Sequence, residues 1–231
     1  MADDDGARLP AVEFGEWLET FRSALRRRSD AAVPCAGCTA CCRSSQFVLV
    51  EADKVATLAR IPAAFRFAAP RRPRGDVVMG YDAQGHCPML IDDRCSIYDA
   101  RPRACRTFDC RVLTATRTDD PDHPLIAARA GEWGFTMCGP PDARTREQVS
   151  LIAAFLGAHR SDLPEGTVPS AAAARAALAI ALLDHLGPSA AGTAAPGLPE
   201  FATALRELTA GAGRGADGAQ TTVLSERDAT A

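Results

Sequence analysis

Four of the eight residues from Cys35 to Cys42, CAGCTACC, are cysteine, and the last two are adjacent. Nothing else limits the fold so sharply, because thiols packed this densely must be oxidised, buried or bound to metal. Cys87, Cys95, Cys105, Cys110 and Cys138 bring the total to nine. The opening residues MADDDGARLP have neither the positive start nor the apolar stretch of a secretory signal. The most apolar segment, 171–186, is interrupted by Arg175 and Asp184 and is too short to span a bilayer. The expected location is cytoplasmic, with no membrane partner. A compartment that keeps thiols reduced turns these cysteines toward metal or redox chemistry before a disulfide framework.

Two local geometries suit CAGCTACC. As a helix, at about 100° per residue, Cys35, Cys38 and Cys42 share one face and Cys41 points away. As a knuckle around Gly37, Cys35 and Cys38 make a half-site like that of a zinc ribbon, and Cys41 and Cys42 diverge. Either way the adjacent pair faces two directions. A disulfide within that pair is disfavoured, since neighbouring Cα atoms are only about 3.8 Å apart, below the disulfide range. The segment CPMLIDDRCSIYDARPRACRTFDC adds Cys87, Cys95, Cys105 and Cys110. Four plus four gives eight ligands, enough for two tetrahedral sulfur sites or one polynuclear cluster. Cys138 stands apart and reads as a buried thiol.

Four thiolates on one divalent ion leave a net charge of about −2. Arg43, Arg94, Arg106 and Arg111 each adjoin a cysteine, and Arg101 and Arg103 lie close by, so guanidinium groups are placed to offset that excess. Arginine is common throughout, however: Lys54 is the only lysine, and the formal net charge is −3. Such a balance predicts no bulk attraction to nucleic acid or to an anionic membrane.

Around the cysteines, residues 11–28 carry a helical apolar face of Phe14, Trp17, Leu18, Phe21 and Leu25. Residues 47–50 read as a strand and 51–60 as a helix with Val55, Leu58 and Ala59 inward, stopped by Pro62. Residues 77–81, 86–91 and 95–98 suggest a small meander, with turns at 82–85 and 92–93. Asp99 is a candidate cap for a helix carrying Cys105. Residues 116–124 read as a polar loop. Three alanine-rich helices are expected near 145–159, 169–186 and 198–210, then a disordered tail.

The spacings C35-x2-C38-x2-C41-C42, G85-H-C87-P-M-L, C95-S-I-Y-D-A-R-P-R-A-C105-R-T-F and C110 resemble the YkgJ family of cysteine-cluster proteins, also described as zinc- or iron-chelating domains. The resemblance covers roughly residues 30–112. It implies that Cys35, Cys38, Cys41, Cys42, Cys87, Cys95, Cys105 and Cys110 are the shared cysteines, and that Ile97, Tyr98, Arg101, Pro102 and Arg106 belong to the signature. Flagellin lysine methylases carry a similar cysteine pattern, which keeps an enzyme in view. Against a self-contained methyltransferase of common type, no glycine-rich strand-to-helix turn offers a nucleotide or cofactor cradle.

Other residues have plainer readings. His86 suits a turn cap, or a ligand beside Cys87; Asp92, Asp93 and Asp99 suit turns and caps. Asp109, next to Cys110, is the carboxylate of most interest, since hard oxygen donors suit iron better than a pure thiolate zinc site. Tyr98 packs with its hydroxyl satisfied, and Arg101 pairs with a thiolate or with Asp99. His123, His159 and His185 read as loop or packing residues.

The expected fold is α+β: a small metal-organised cysteine-rich module with a short meander, an N-terminal helix and a helical C-terminal extension. The expected boundaries are 11–140, 141–210 and 211–231. The expected function is cytoplasmic coordination of zinc or iron by eight cysteines, with metal ions as the partner. One alternative is an iron–sulfur or multinuclear-iron redox enzyme related to the flagellin lysine methylases. Another is an interaction module using Arg71, Arg72 and Arg74.

Overall fold

The computed structural model describes residues 9–31, 33, 35, 37–69, 72–186, 197–212 and 223–224. In chain order, β1 (Val12–Glu13) leads into α1 (Phe14–Leu25), then β2 (Phe47–Val50), α2 (Val55–Leu58), β3 (Arg66–Ala68) and β4 (Val77–Met79). Next come β5 (Leu90–Ile91), β6 (Arg94–Cys95), α3 (Arg103–Thr107), α4 (Arg111–Thr116), α5 (Pro124–Gly131) and β7 (Phe135–Thr136). The remainder is α6 (Pro140–Ala158), α7 (Ala172–Ala181), α8 (Leu183–Leu186), α9 (Leu198–Ala212) and β8 (Val223–Leu224). Helix and strand occupy separate segments, so the class is α+β.

The chain forms two compact units that interleave along the sequence: 1–22, 110–121 and 127–218 in one, 23–109, 122–126 and 219–231 in the other. The first is helical. Its α6 packs on α7 and α4, and α8 on α9. Leu156, Leu182, Phe201 and Leu205 are fully buried there, with the Phe201 ring stacked on Phe155 at 4.0 Å. Six alanines of α7 are buried as well, because a side chain of one carbon lets neighbouring helix backbones come close. The predicted face of α1 is present: Phe14, Trp17, Leu18 and Phe21 are buried, and Trp17 and Phe14 meet Phe135 of β7, which pairs in parallel with β1.

The second unit is built from short pieces. Its sheet has the order β3-β4-β2-β8, with Val48 opposite Met79 and Val50 opposite Val77. Under it lies a core of Val50, Ile61, Met79, Met89 and Ile97, against which Cys87 and Cys95 pack. β5 and β6 form their own hairpin, Leu90 opposite Cys95, and do not join β4. The expected meander is therefore two separate pairings. The hairpin turn itself is as expected: Asp92 and Asp93 both take φ near +50° (48° and 57°), as a two-residue turn of this hand requires.

Several local readings differ from the structure. The helix at 51–60 narrows to α2, whose Val55 is 70% exposed while Thr57 is buried and donates to the Ala100 carbonyl at 2.8 Å. A long-range hydrogen bond thus overrides the apolar pattern. Asp99 lies within a 3-10 turn, Tyr98–Ala100, and the cap of α3 is Pro102, preset by its ring for the start of a helix. Residues 169–186 divide into α7 and α8 at Leu182. The polar stretch before Pro124 holds a buried Asp120. Arg71 and most of the expected tail lie outside the described residues.

Candidate metal centre

The first cysteines sit in a turn rather than a helix. Cys38 N–H donates to the Cys35 carbonyl at 3.0 Å, and Gly37 supplies the φ of +75° that this turn demands. This is the knuckle of the two sequence alternatives. Cys41–Arg43 follow as a single 3-10 turn. At three residues per turn the side chains of Cys41 and Cys42 leave the axis about 120° apart. None of the nine cysteines is in a disulfide.

Pairing between distant segments then carries Cys42 to the later cysteines. The antiparallel pair β2–β4 continues past the sheet: Ser45 N–H donates to the Gly85 carbonyl at 2.9 Å, and Cys87 N–H to the Cys42 carbonyl at 2.7 Å. The thiol of Cys42 hydrogen-bonds the sulfur of Cys87. Cys87 also accepts the Met89 N–H, and Cys95 the Ile97 N–H. The β5–β6 hairpin brings Cys95 into range, and α3 brings Cys105. Cys42, Cys87, Cys95 and Cys105 thus form one group of mutually interacting thiols.

The electrostatics are those of crowded sulfur. Burial, and then the neighbouring Cys42 and Cys95, push the Cys105 thiol up to about 12, although Arg101 and Arg106 pull it down. Cys105 is half-buried as a residue, but its sulfur is the most enclosed of the four. Burial also raises Cys95. The hydrogen bond between Cys42 and Cys87 raises Cys42 and lowers Cys87. The second proton of this pair is the hard one to remove. A divalent cation at the centre of the group would reverse these penalties, since it stabilises every thiolate it touches.

The donor set therefore fits a soft metal ion, but the group is not closed. Among the described residues no three cysteine, histidine, aspartate or glutamate side chains stand in an arrangement ready to hold one.

The other candidate residues fall into place around the group. His86 holds its turn, its N–H donating to Asp82 Oδ1 at 2.8 Å, while its ring meets Arg43 at 3.4 Å. Arg43 also pairs with Asp93. Arg103 and Arg106 both reach Asp30, Arg106 at 3.1 Å. Asp109 is buried in the same unit. Cys110 is buried at the start of α4 and belongs to the helical unit, as does Arg111, whose guanidinium lies 5.4 Å from the Trp133 ring centre. Cys138 is exposed, not buried, with its N–H on Asp142 and its thiol on Glu13. Of the basic loop, Arg72 pairs with Asp76. Spacing alone carried no sign that Cys42 joins Cys87, Cys95 and Cys105; that depends on the β2–β4 register.

These features define a cysteine-rich α+β unit in which four thiols interact. Residues 34–124 match the CxxCxxCC family model, described as a "putative zinc- or iron-chelating domain". It spans eight of the nine cysteines, leaving out Cys138. No curated protein and no solved structure matches the chain. Among the described residues no helix is long and apolar enough to cross a membrane.

Proposed function

We propose that Cys42, Cys87, Cys95 and Cys105 hold one zinc or iron ion as a tetrathiolate centre, and that this cytoplasmic protein binds metal to organise its cysteine-rich unit. The observation that supports this most is the convergence of four thiols from three separate segments on one another. Buried thiols with no metal repel one another once ionised, whereas a metal converts their crowding into binding energy. A centre with four protein sulfurs is closed, and closed sulfur sites are usually structural, which favours organisation over catalysis. Two hard donors adjoining these cysteines in sequence, His86 and Asp93, are engaged by Arg43.

The test is anaerobic purification of the full chain with elemental analysis and a visible spectrum, repeated on single Cys→Ser variants at all nine positions. The expected result is stoichiometric zinc or iron that is lost on changing Cys42, Cys87, Cys95 or Cys105 and kept on changing Cys138. The scan also decides whether Cys35, Cys38, Cys41 and Cys110 complete the expected set of eight ligands. A colourless zinc protein separates the binding role from an iron–sulfur or multinuclear-iron redox centre. Fully folded native material free of any transition metal would overturn the proposal.

A further inference from the structure

We propose that the free edge of β3 docks an acidic, extended segment of a partner protein, which adds to the sheet as a further strand, a role separate from metal binding. β3 stands at the end of the order β3-β4-β2-β8, and its Arg66, Phe67 and Ala68 are all exposed. The Phe65 carbonyl accepts the Gly80 N–H at 3.0 Å, and Ala69 N–H donates to the Asp76 carbonyl at 3.3 Å, with Phe67 opposite Val78 between them. Bonding in an antiparallel ladder alternates. Phe65, Phe67 and Ala69 therefore bond toward β4, while Arg66 and Ala68 turn their backbone groups outward. Arg66 N–H is taken up by the Ala63 carbonyl of the preceding turn. Among the described residues, the Arg66 carbonyl and the Ala68 N–H and carbonyl have no partner in the chain. Such outward groups are what an added strand bonds.

Charge and side chains select the occupant. Residues 60–75 hold five arginines and no aspartate or glutamate. Arg72 is spent on Asp76, which is buried and also accepts the Ala52 N–H at 3.0 Å, so this pair fixes the loop joining β3 to β4. Arg60, Arg66 and Arg74 are exposed, and among the described residues none of them meets a carboxylate. Phe67 is 50% exposed, and its ring lies across Gly80, where an added Cβ would stand 2.7 Å from it. An apolar surface thus flanks the edge. Arg66 and Phe67 are consecutive in a strand and project to opposite faces, so the edge suits a segment in which acidic and apolar residues alternate. A second copy of this chain fits poorly, because edge-to-edge pairing would bring two arginine-rich strands together. A polynucleotide answers the charge but has no repeating N–H and C=O to match the ladder.

The experiment is fluorescence anisotropy of the full chain with a labelled peptide of alternating glutamate and valine, at low and high salt. The comparison probes are the same peptide N-methylated throughout, a lysine–valine peptide and a single-stranded oligonucleotide. The glutamate–valine peptide is expected to bind wild type, more weakly as salt rises, and the N-methylated and lysine–valine peptides are expected not to bind. Arg66→Glu and Arg74→Glu are each expected to weaken binding about 2–10-fold by turning attraction into repulsion. Ala68→Pro removes one outward N–H at an edge position where proline is tolerated, and is expected to cost about 2–10-fold. Arg74→Glu, in a loop, keeps the test decisive if Ala68→Pro disturbs the strand. No binding to wild type at low salt would overturn the inference. So would equal binding of the N-methylated peptide, which reports charge attraction without strand addition, or tighter binding of the oligonucleotide. Dimerisation of wild type that is lost in Ala68→Pro would overturn it too, by giving the edge to a second copy.

Discussion

The helical unit and the cysteine-rich unit solve the same problem with different atoms. In the first, α6, α7 and α9 surround Leu156, Leu182, Phe201 and Leu205, and buried alanines draw the helices close. Its stability is dispersion and burial of apolar area, spread over many residues. The second has one small core of Val50, Ile61, Met79, Met89 and Ile97, and its elements run only two to five residues. Strands of two residues cannot hold a position by their own ladder. What recurs along those elements is cysteine: Cys42 mid-way in a 3-10 turn, Cys95 at the end of β6, Cys105 mid-way in α3. Sulfur stands where the helical unit has leucine. A small aliphatic volume is offset in one region by close helix packing, and in the other, on the proposed reading, by metal ligation.

The strongest way to break this contrast is to strip the metal. Chelation under anaerobic conditions is expected to abolish amide-exchange protection around 87–107 and leave α6 and α7 protected, since a structural zinc contributes ~10–16 kcal/mol of apparent binding free energy. Equal loss in both regions, or in neither, would end the comparison. The converse change is Phe201→Ala. Removing that ring from its stack on Phe155 is expected to cost about 3–5 kcal/mol in urea denaturation, with zinc stoichiometry unchanged. Its signature is lowered protection in α6 and α9.

The smallest effect sharpens the electrostatic side. In the metal-free protein the Cys105 thiol is raised from 9.0 to about 12, so the folded state holds its proton over a range where the unfolded chain releases it. That contribution is complete below pH 9 and is lost as pH rises from 9 toward 12. At pH 10 the loss from Cys105 alone is about 1 kcal/mol. Burial shifts Cys95 in the same direction, while the opposite shifts of Cys42 and Cys87 work against each other. Metal loading is expected to remove this alkaline loss, because the bound thiolates have no proton to release. Denaturation midpoints at pH 8 and pH 10, with and without zinc, check it.

Much of this architecture was legible as local pattern. The apolar face of α1 follows from a period of three to four residues, and its burial is as the period implies. The end of α1 was less legible: Arg27 takes φ of +59°, and its N–H and that of Arg28 bond back to Ala24 and Ser23, closing a cap usually made by glycine. The Arg27 guanidinium is anchored on Glu51 at 3.1 Å, a partner only the fold supplies. Val55 and Ala59 were misread for the same reason, since Thr57 turns inward to a carbonyl 43 residues away. α4 and α5 escaped notice because six and eight residues are too few to establish a period.

The sequence by itself determined the chemistry: nine thiols, their spacing, the glycine that bends Cys35 back on Cys38, and the aspartates that turn the β5–β6 hairpin. These are short-range properties, decided by covalent geometry and by side chains within a few residues. Only the tertiary structure decided which thiols meet. Cys42 reaches Cys87 because Val48 pairs with Met79, and a register one residue off would turn those side chains to opposite faces. Proximity between distant residues is a property of the assembled chain, because the burial and long-range pairing that create it involve many segments at once.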